Sequence, residues 1–347
     1  MIGASSTRIA RRPTPPEAES GHDPQTPAAA DDAATHPDAP RCARHAADDA
    51  LTDPERRRAQ RIGLLCLLGT SVGWGVNWPA TKVLLQQLPP LFARGSGGLT
   101  AALVLALVAA LRGDSLHVPR PLYGRLLASS LTNVFAWMGF ATLSLRWLNA
   151  GQAAMLVYTM PVWVTLLAWP LAGQRPTARA SIGLLLCMVG LWVLLGAHQA
   201  PLGAGTMIGA GFALASAVLF ALGTVALRPL TELAPIPNLA WQLGLGCAPM
   251  VLIGLIWEHP NLARVDATGW VLLAYMTVVP MGLCYLGWFA ALRRLPPATA
   301  SMGTLLTPVV GVFAAAATLG EPLGARELAA LVLTLGGVAL ALRRAGG

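Results

Sequence analysis

The chain has 347 residues, of which 55% are hydrophobic and 12% charged, and a formal net charge of +8. A soluble domain carries about twice that charged fraction, so a soluble globular enzyme is excluded and a polytopic membrane protein with a polar leader is expected. The basic excess does not argue for nucleic acid, because in a membrane protein it normally marks cytoplasmic loop ends. Residues 1–55 hold ten of the sixteen acids but five of the 24 basic residues, a net −5 against +13 for the remainder. Rich in Pro, Ala, Asp, Thr and Ser and without an apolar period, residues 1–61 read as a disordered polar tail ending in the basic cluster Arg56, Arg57, Arg58 and Arg61. Arg8, Arg11 and Arg12 are followed by no apolar run, which argues against a secretory signal peptide.

Ile62 to Leu342 is the length of ten spanning helices, at about 20 residues for each crossing of the hydrocarbon core. The apolar stretches predict spans at 62–85, 91–111, 122–143, 150–171, 178–196, 204–227, 238–257, 268–291, 298–319 and 326–342. Breaks are marked by Leu88-Pro89-Pro90, Arg112-Gly113-Asp114, Arg175-Pro176, Gln199-Ala200-Pro201, Pro235-Ile236-Pro237, Glu258-His259-Pro260 and Pro296-Pro297. With the N-terminus inside, the cytoplasmic joins carry Arg112, Arg120, Arg125, Arg175, Arg179, Arg228, Arg293 and Arg294. The opposite side carries Arg146, Arg264 and Arg326. This positive-inside bias predicts both termini in the cytoplasm. The five cysteines form no C-x-x-C pair, and Cys66, Cys187, Cys247 and Cys284 fall in apolar runs where a thiol packs as a small hydrophobe.

The chain also repeats itself. Residues 148–195 placed on 295–342, an offset of 147, give thirteen identities in 48 positions, among them Met155/Met302, Pro161/Pro308, Gly173/Gly320 and Gly190/Gly337. At an offset of 146, Trp74 falls on Phe220 and Lys82 on Arg228. Each half, 62–197 and 203–342, then holds five spans. Five is odd, so the halves would lie inverted in the membrane, the architecture with which many carriers alternate between open states. The expected fold is all-α and integral to the membrane, ten transmembrane helices in two inverted five-helix repeats.

Trp74-Gly75-x-Asn77 in the first span, Pro89-Pro90 before the second, Pro161 and Pro308 in the fourth and ninth, and Gly320-Glu321-Pro322 after the ninth carry a family likeness. In this order the chain resembles the drug/metabolite transporter superfamily, in particular its ten-helix EamA-type members. The resemblance covers about 62–342 and implies an inner-membrane carrier that exports amino acids or related metabolites. The first repeat has Gln174 where the second has Glu321, so the acidic mark occurs once.

Residues for the transported solute are sought among polar and aromatic groups inside the spans. Trp74, Trp78, Trp137, Trp163 and Trp288 fall inside spans, where an aromatic cage would suit an amphipathic or cationic solute. Asn77, Asn133, Tyr158 and Tyr285 need a partner in lipid, either another helix or the solute. Trp74, Asn77, Asn133, Trp137, Tyr158, Trp163, Tyr285 and Trp288 are the expected substrate-binding set. Pro161 and Pro308, each costing its helix a backbone donor, are the expected gating positions. Lys82, the one lysine, could meet a carboxylate or snorkel; Arg94 must pair with something polar; Glu321 would carry proton coupling if it lay deeper than the join. No Asp, Glu or His falls in the middle of a predicted span, so a proton relay lacks its usual groups.

The expected activity is alternating-access movement of small organic, amino-acid-like solutes, in the export direction, as a facilitator or exchanger. A proton-coupled multidrug efflux pump is the alternative, and an integral-membrane transferase a distant one that lacks clustered acids or histidines. No catalytic residue, cofactor or metal is expected. The partners are the solute and the bilayer, with a monomer the expected state and a dimer through small-residue seams such as Gly69-x-x-x-Gly73 the alternative.

Overall fold

Helix length here follows from uninterrupted apolar sequence, and helix ends from proline, glycine and charge. The computed structural model describes residues 53–173, 178–196, 203–227, 230–295 and 303–342. Among these the helical segments are α1 (Asp53–Leu84), α2 (Pro90–Leu111), α3 (Arg120–Ser144), α4 (Ala150–Val157 and Met160–Ala172), α5 (Ala178–Gly196) and α6 (Ala204–Ala226). They continue with α7 (Pro235–Glu258), α8 (Ala267–Arg294), α9 (Leu306–Leu319) and α10 (Ala325–Leu342), and no strand occurs among the described residues. Six of them (α2, α3, α4, α6, α7 and α8) are long and apolar enough to cross a membrane, and Leu306–Leu319 is a shorter apolar helix.

Two boundaries differ from the hydropathy reading. α1 begins at Asp53, not Ile62, so Arg56, Arg57, Arg58 and Arg61 belong to its first turns and not to a disordered tail. Residues 1–52 lie outside the described residues, as do Gln174, Arg175 and Pro176. α7 begins at Pro235, in the stretch read as a break. A first-turn proline gives up an N–H that has no intrahelical acceptor, so Pro235 starts the helix, as Pro90 starts α2.

Other ends obey local chemistry. Asp266 caps α8 by accepting the Gly269 N–H at 2.8 Å. Gln152 Oε1 accepts the Asn149 N–H at 3.3 Å at the start of α4. α4 and α9 end at Gly173 (φ 68°) and Gly320 (φ 64°), left-handed positions that glycine adopts without strain. These two glycines are equivalents at the 147-residue offset. Pro161 sits in the first turn of the second segment of α4, and Pro308 in that of α9. Proline has no N–H for the preceding turn, which accounts for the break of α4 between Val157 and Met160.

The strongest helix contacts join α2 to α7 and α5 to α10, while α4 and α3 both pack on α6. The α5–α10 seam is reciprocal. A Cβ at Gly190 would lie 2.6 Å from Thr334 Oγ1, and one at Gly337 would lie 2.7 Å from Cys187 Sγ. Gly190 and Gly337 are equivalent at the 147-residue offset, and so are Cys187 and Thr334. Small residues let the backbones close together, which in lipid replaces the missing hydrophobic drive between helices. Cores of Leu, Ala, Val and Met lie between the helices. Leu65, Leu103, Leu107, Trp192, Trp257 and Val332 instead face outward with more than half their surface free. A soluble monomer rarely shows so much contiguous apolar surface; a bilayer covers it.

Candidate functional site

Ring side chains from five helices meet between the core clusters. Trp74 on α1 stands edge-on to Tyr285 of α8 at 5.5 Å between centroids and tilts against Trp288 at 6.1 Å. Its indole N–H donates to the Pro280 carbonyl at 2.9 Å, within the π-helical stretch Val279–Leu283 of α8. One turn along α1, Trp78 stands edge-on to Tyr158 at the break of α4, 6.5 Å away. Tyr158 in turn meets Trp137 of α3 at 6.3 Å, and Trp137 packs on Phe220 of α6 at 4.6 Å. Residues four apart share a helix face, so Trp74 and Trp78 join the two groups into one aromatic surface.

Of the expected set, Trp74, Trp137, Tyr158, Tyr285 and Trp288 thus come together, and Trp163 stands apart. Its indole N–H donates to Thr159 of its own helix at 3.2 Å. Asn77 Oδ1 accepts the Thr81 hydroxyl and Asn133 Oδ1 the Thr132 hydroxyl, each at 3.4 Å and each within one helix. Neither amide nitrogen bonds to a described residue or is fully enclosed. Sequence reasoning left Trp78, Phe220 and Thr307 out of the set. Trp78 had a usable signal, its four-residue spacing from Trp74; Phe220 was visible as the repeat partner of Trp74. Thr307 had none. Its Oγ1 is enclosed and has no hydrogen-bond partner among the described residues. Gly75 brings α1 against the same turn of α9, since a Cβ there would lie 2.6 Å from Val310 Cβ and 2.9 Å from the Thr307 carbonyl.

The three charged candidates have different surroundings. Lys82 Nζ donates to the Leu148 carbonyl at 2.7 Å and to the Leu145 carbonyl, satisfying acceptors that the end of α3 leaves open. Glu321, in the join between α9 and α10, accepts the Ala150 N–H at 2.7 Å and the Gly151 N–H at 3.0 Å, opposite the positive end of the α4 dipole. A small, shallow cleft lies beside it, lined by Asn149, Gln152, Val312 and Glu327, none of them part of the aromatic surface. Arg94 is 8% exposed on α2, and its Nε–H donates to Thr142 Oγ1 of α3 at 3.0 Å.

Carboxylates outside the spans tie helix ends together. Glu258 at the end of α7 accepts the Leu91 N–H at 3.2 Å and the Phe92 N–H at 2.9 Å at the start of α2. Arg125 pairs with Glu232 at 2.9 Å. Glu232's own backbone N–H and this guanidinium hold its carboxyl below the usual range. The Gly269 N–H and the Gln87 amide do the same for Asp266. Among the described residues no group of three His, Cys, Asp or Glu side chains could hold a metal ion.

A polar-edged aromatic surface, enclosed by apolar helices and free of nucleophile–base pairs, suits binding and passage. The EamA-like transporter family model matches this chain twice, over residues 61–196 and 207–343. The chain belongs to the EamA-like transporter family. It is 30% identical over 270 residues to the uncharacterized transporter YvbV of Bacillus subtilis, covering 77% of this chain and 87% of that one. To probable amino-acid metabolite efflux pumps it is 28% identical in Salmonella typhimurium and 26% in Escherichia coli, in each case over 81% of this chain and 94% of the relative. A solved crystal structure, 20% identical, superposes with a TM-score of 0.59 over 82% of this chain and 96% of its own, a likeness of fold. Membership makes this EamA-like chain a membrane transporter, and the names of the family and of its relatives point to transport rather than catalysis.

Proposed function

We propose that this transporter is a ten-helix carrier whose two inverted five-helix repeats, 62–197 and 203–342, enclose one substrate cavity. It moves small, amino-acid-like solutes outward across a bacterial inner membrane by alternating access, as a facilitator or exchanger, with both termini cytoplasmic. The observation that carries the reading is the reciprocal α5–α10 seam, Gly190 on Thr334 and Gly337 on Cys187, because equivalent residues meet in this crossed way about a two-fold axis. The double family match and the α2–α7 pairing support it. Two relatives named as probable amino-acid metabolite efflux pumps support the solute class and direction.

Substrate binding is assigned to Trp74, Asn77, Asn133, Trp137, Tyr158, Tyr285 and Trp288, with Trp163 at the periphery, and gating to Pro161 and Pro308. Independence from protons is supported by Glu321 and Glu258, whose carboxylates are taken up by helix N–H groups in the joins and not held within a span. The test is counterflow. Proteoliposomes preloaded with unlabelled amino acids and small metabolites face a labelled trace outside, with no pH or voltage gradient. Uptake above protein-free vesicles is the expected result. Uptake that appears only with an imposed pH gradient would favour the proton-coupled multidrug pump.

A further inference from the structure

Arg94 is a buried cation without a counter-ion among the described residues. Its Nε–H is taken by Thr142, but Nη1 and Nη2 form no hydrogen bond to the described residues, and neither is sealed off from the space beside it. Among the described residues Arg94 pairs with no carboxylate. Glu258, which reaches the same end of α2, has its two oxygens on the Leu91 and Phe92 N–H groups. Among the described residues, the titratable side chains that interact electrostatically with the guanidinium are Cys247 of α7 and Tyr285 of α8. Tyr285 is the ring that stands against Trp74.

An unpaired guanidinium in this setting is costly, and a structural arginine would be expected to spend its whole fork on protein acceptors. Thr142 instead fixes one edge. The open Nη pair is the half that grips a carboxylate through two parallel N–H···O bonds. Tyr285, which interacts electrostatically with the guanidinium, stands against Trp74, and this pair offers an apolar surface for a side chain. Resting on the carrier reading, we infer that Arg94 receives the carboxylate of the transported solute. The pocket therefore selects organic acids, zwitterions included, over amides, esters and simple amines of the same shape. Cationic amphiphiles, which the tryptophans alone would welcome, are excluded by the like charge of Arg94.

The experiment is counterflow with labelled L-phenylalanine, challenged by excess phenylalanine, phenylpyruvate, phenylalaninamide or phenethylamine. The two carboxylates should compete at least about tenfold better than the amide and the amine. Arg94→Gln should lower phenylalanine exchange about thirtyfold or more, as expected when one partner of a desolvated charge pair is lost. Arg94→Lys should restore part of it. If the amide competes as well as the acid, or a folded Arg94→Gln protein exchanges phenylalanine like the native chain, the assignment is overturned while the carrier reading stands. Competition in the native protein decides the matter even where Arg94→Gln fails to fold. Should no solute of any charge exchange, the carrier reading fails and takes this one with it.

Discussion

Residue types announced themselves in the sequence more clearly than their partners did. Trp74, Trp137, Tyr158, Tyr285 and Trp288 could be chosen because large rings inside apolar runs are rare enough to stand out, and four helices bring them together. Lys82 was open to two readings, since nothing in α1 tells that the carbonyls of Leu145 and Leu148 lie opposite it. Glu258 was read only as part of a break because its partners, two backbone N–H groups, have no sequence signature. Asp266 belongs to this scale too. Its carboxylate accepts from the Gly269 N–H and from the Gln87 amide, which depresses its pKa. A depressed folded-state pKa contributes stability above the unfolded value of about 3.9, and that stability is lost as pH falls through the folded value. Asp266→Ala should therefore unfold at a lower temperature than the native chain at neutral pH, and the gap should narrow on acidification. Thermal unfolding in detergent between about pH 7 and about pH 3 checks this; a gap independent of pH would deny the carboxylate its role.

Helices were legible because each is a long apolar run closed by proline, charge or glycine, and that is a local property. The local rule failed where a proline can both end and begin a helix, as at Pro235, and where charged residues extend a helix past its apolar part, as at Asp53. The π-helical stretch Leu131–Phe140 of α3 left no mark in the sequence. Its neighbours come from distant segments: a Cβ at Gly246 would lie 2.6 Å from Val134 Cβ, and one at Gly223 would lie 2.7 Å from Asn133 Oδ1. Glycines likewise look alike until helices are packed. Gly336 has open space where its Cβ would be, whereas a Cβ at Gly337 would sit 2.9 Å from the Cys187 backbone nitrogen. Gly337→Ala should destabilise the protein by about 1–3 kcal/mol through overpacking of the α5–α10 seam. Gly336→Ala should be neutral or stabilise by up to about 1 kcal/mol, because alanine is the better helix former. Equal unfolding temperatures for the two variants would show that the seam does not bear on stability.

At the scale of the molecule, four of the cross-links gather at one end of the bundle, while Arg125–Glu232 ties the start of α3 to the α6–α7 connection. Gln87 Nε2–H donates to Asp266 Oδ1 at 2.9 Å, joining the α1–α2 and α7–α8 connections; Glu258 fastens α7 to α2 beside it. Lys82 holds α1 to the end of α3, and Glu321 holds the α9–α10 connection to the start of α4. In a carrier that alternates, contacts made in one state and broken in the other set the populations, and a bond lost from one state moves the balance toward the other. Glu321→Gln keeps the shape of the side chain but leaves one neutral acceptor for the two N–H groups, removing about 1–2 kcal/mol from the arrangement described above. Ala154 reports on that change, being fully buried in α4 within the core that includes Ala213 and Ala315. In a chain otherwise free of cysteine, Ala154→Cys should react with a membrane-impermeant maleimide about fivefold or more faster when Glu321→Gln is also present, in line with a shift of about 1 kcal/mol. The same rate with and without Glu321→Gln, in folded proteins of equal unfolding temperature, would mean that the Glu321 clamp is static packing and that the moving contact lies elsewhere.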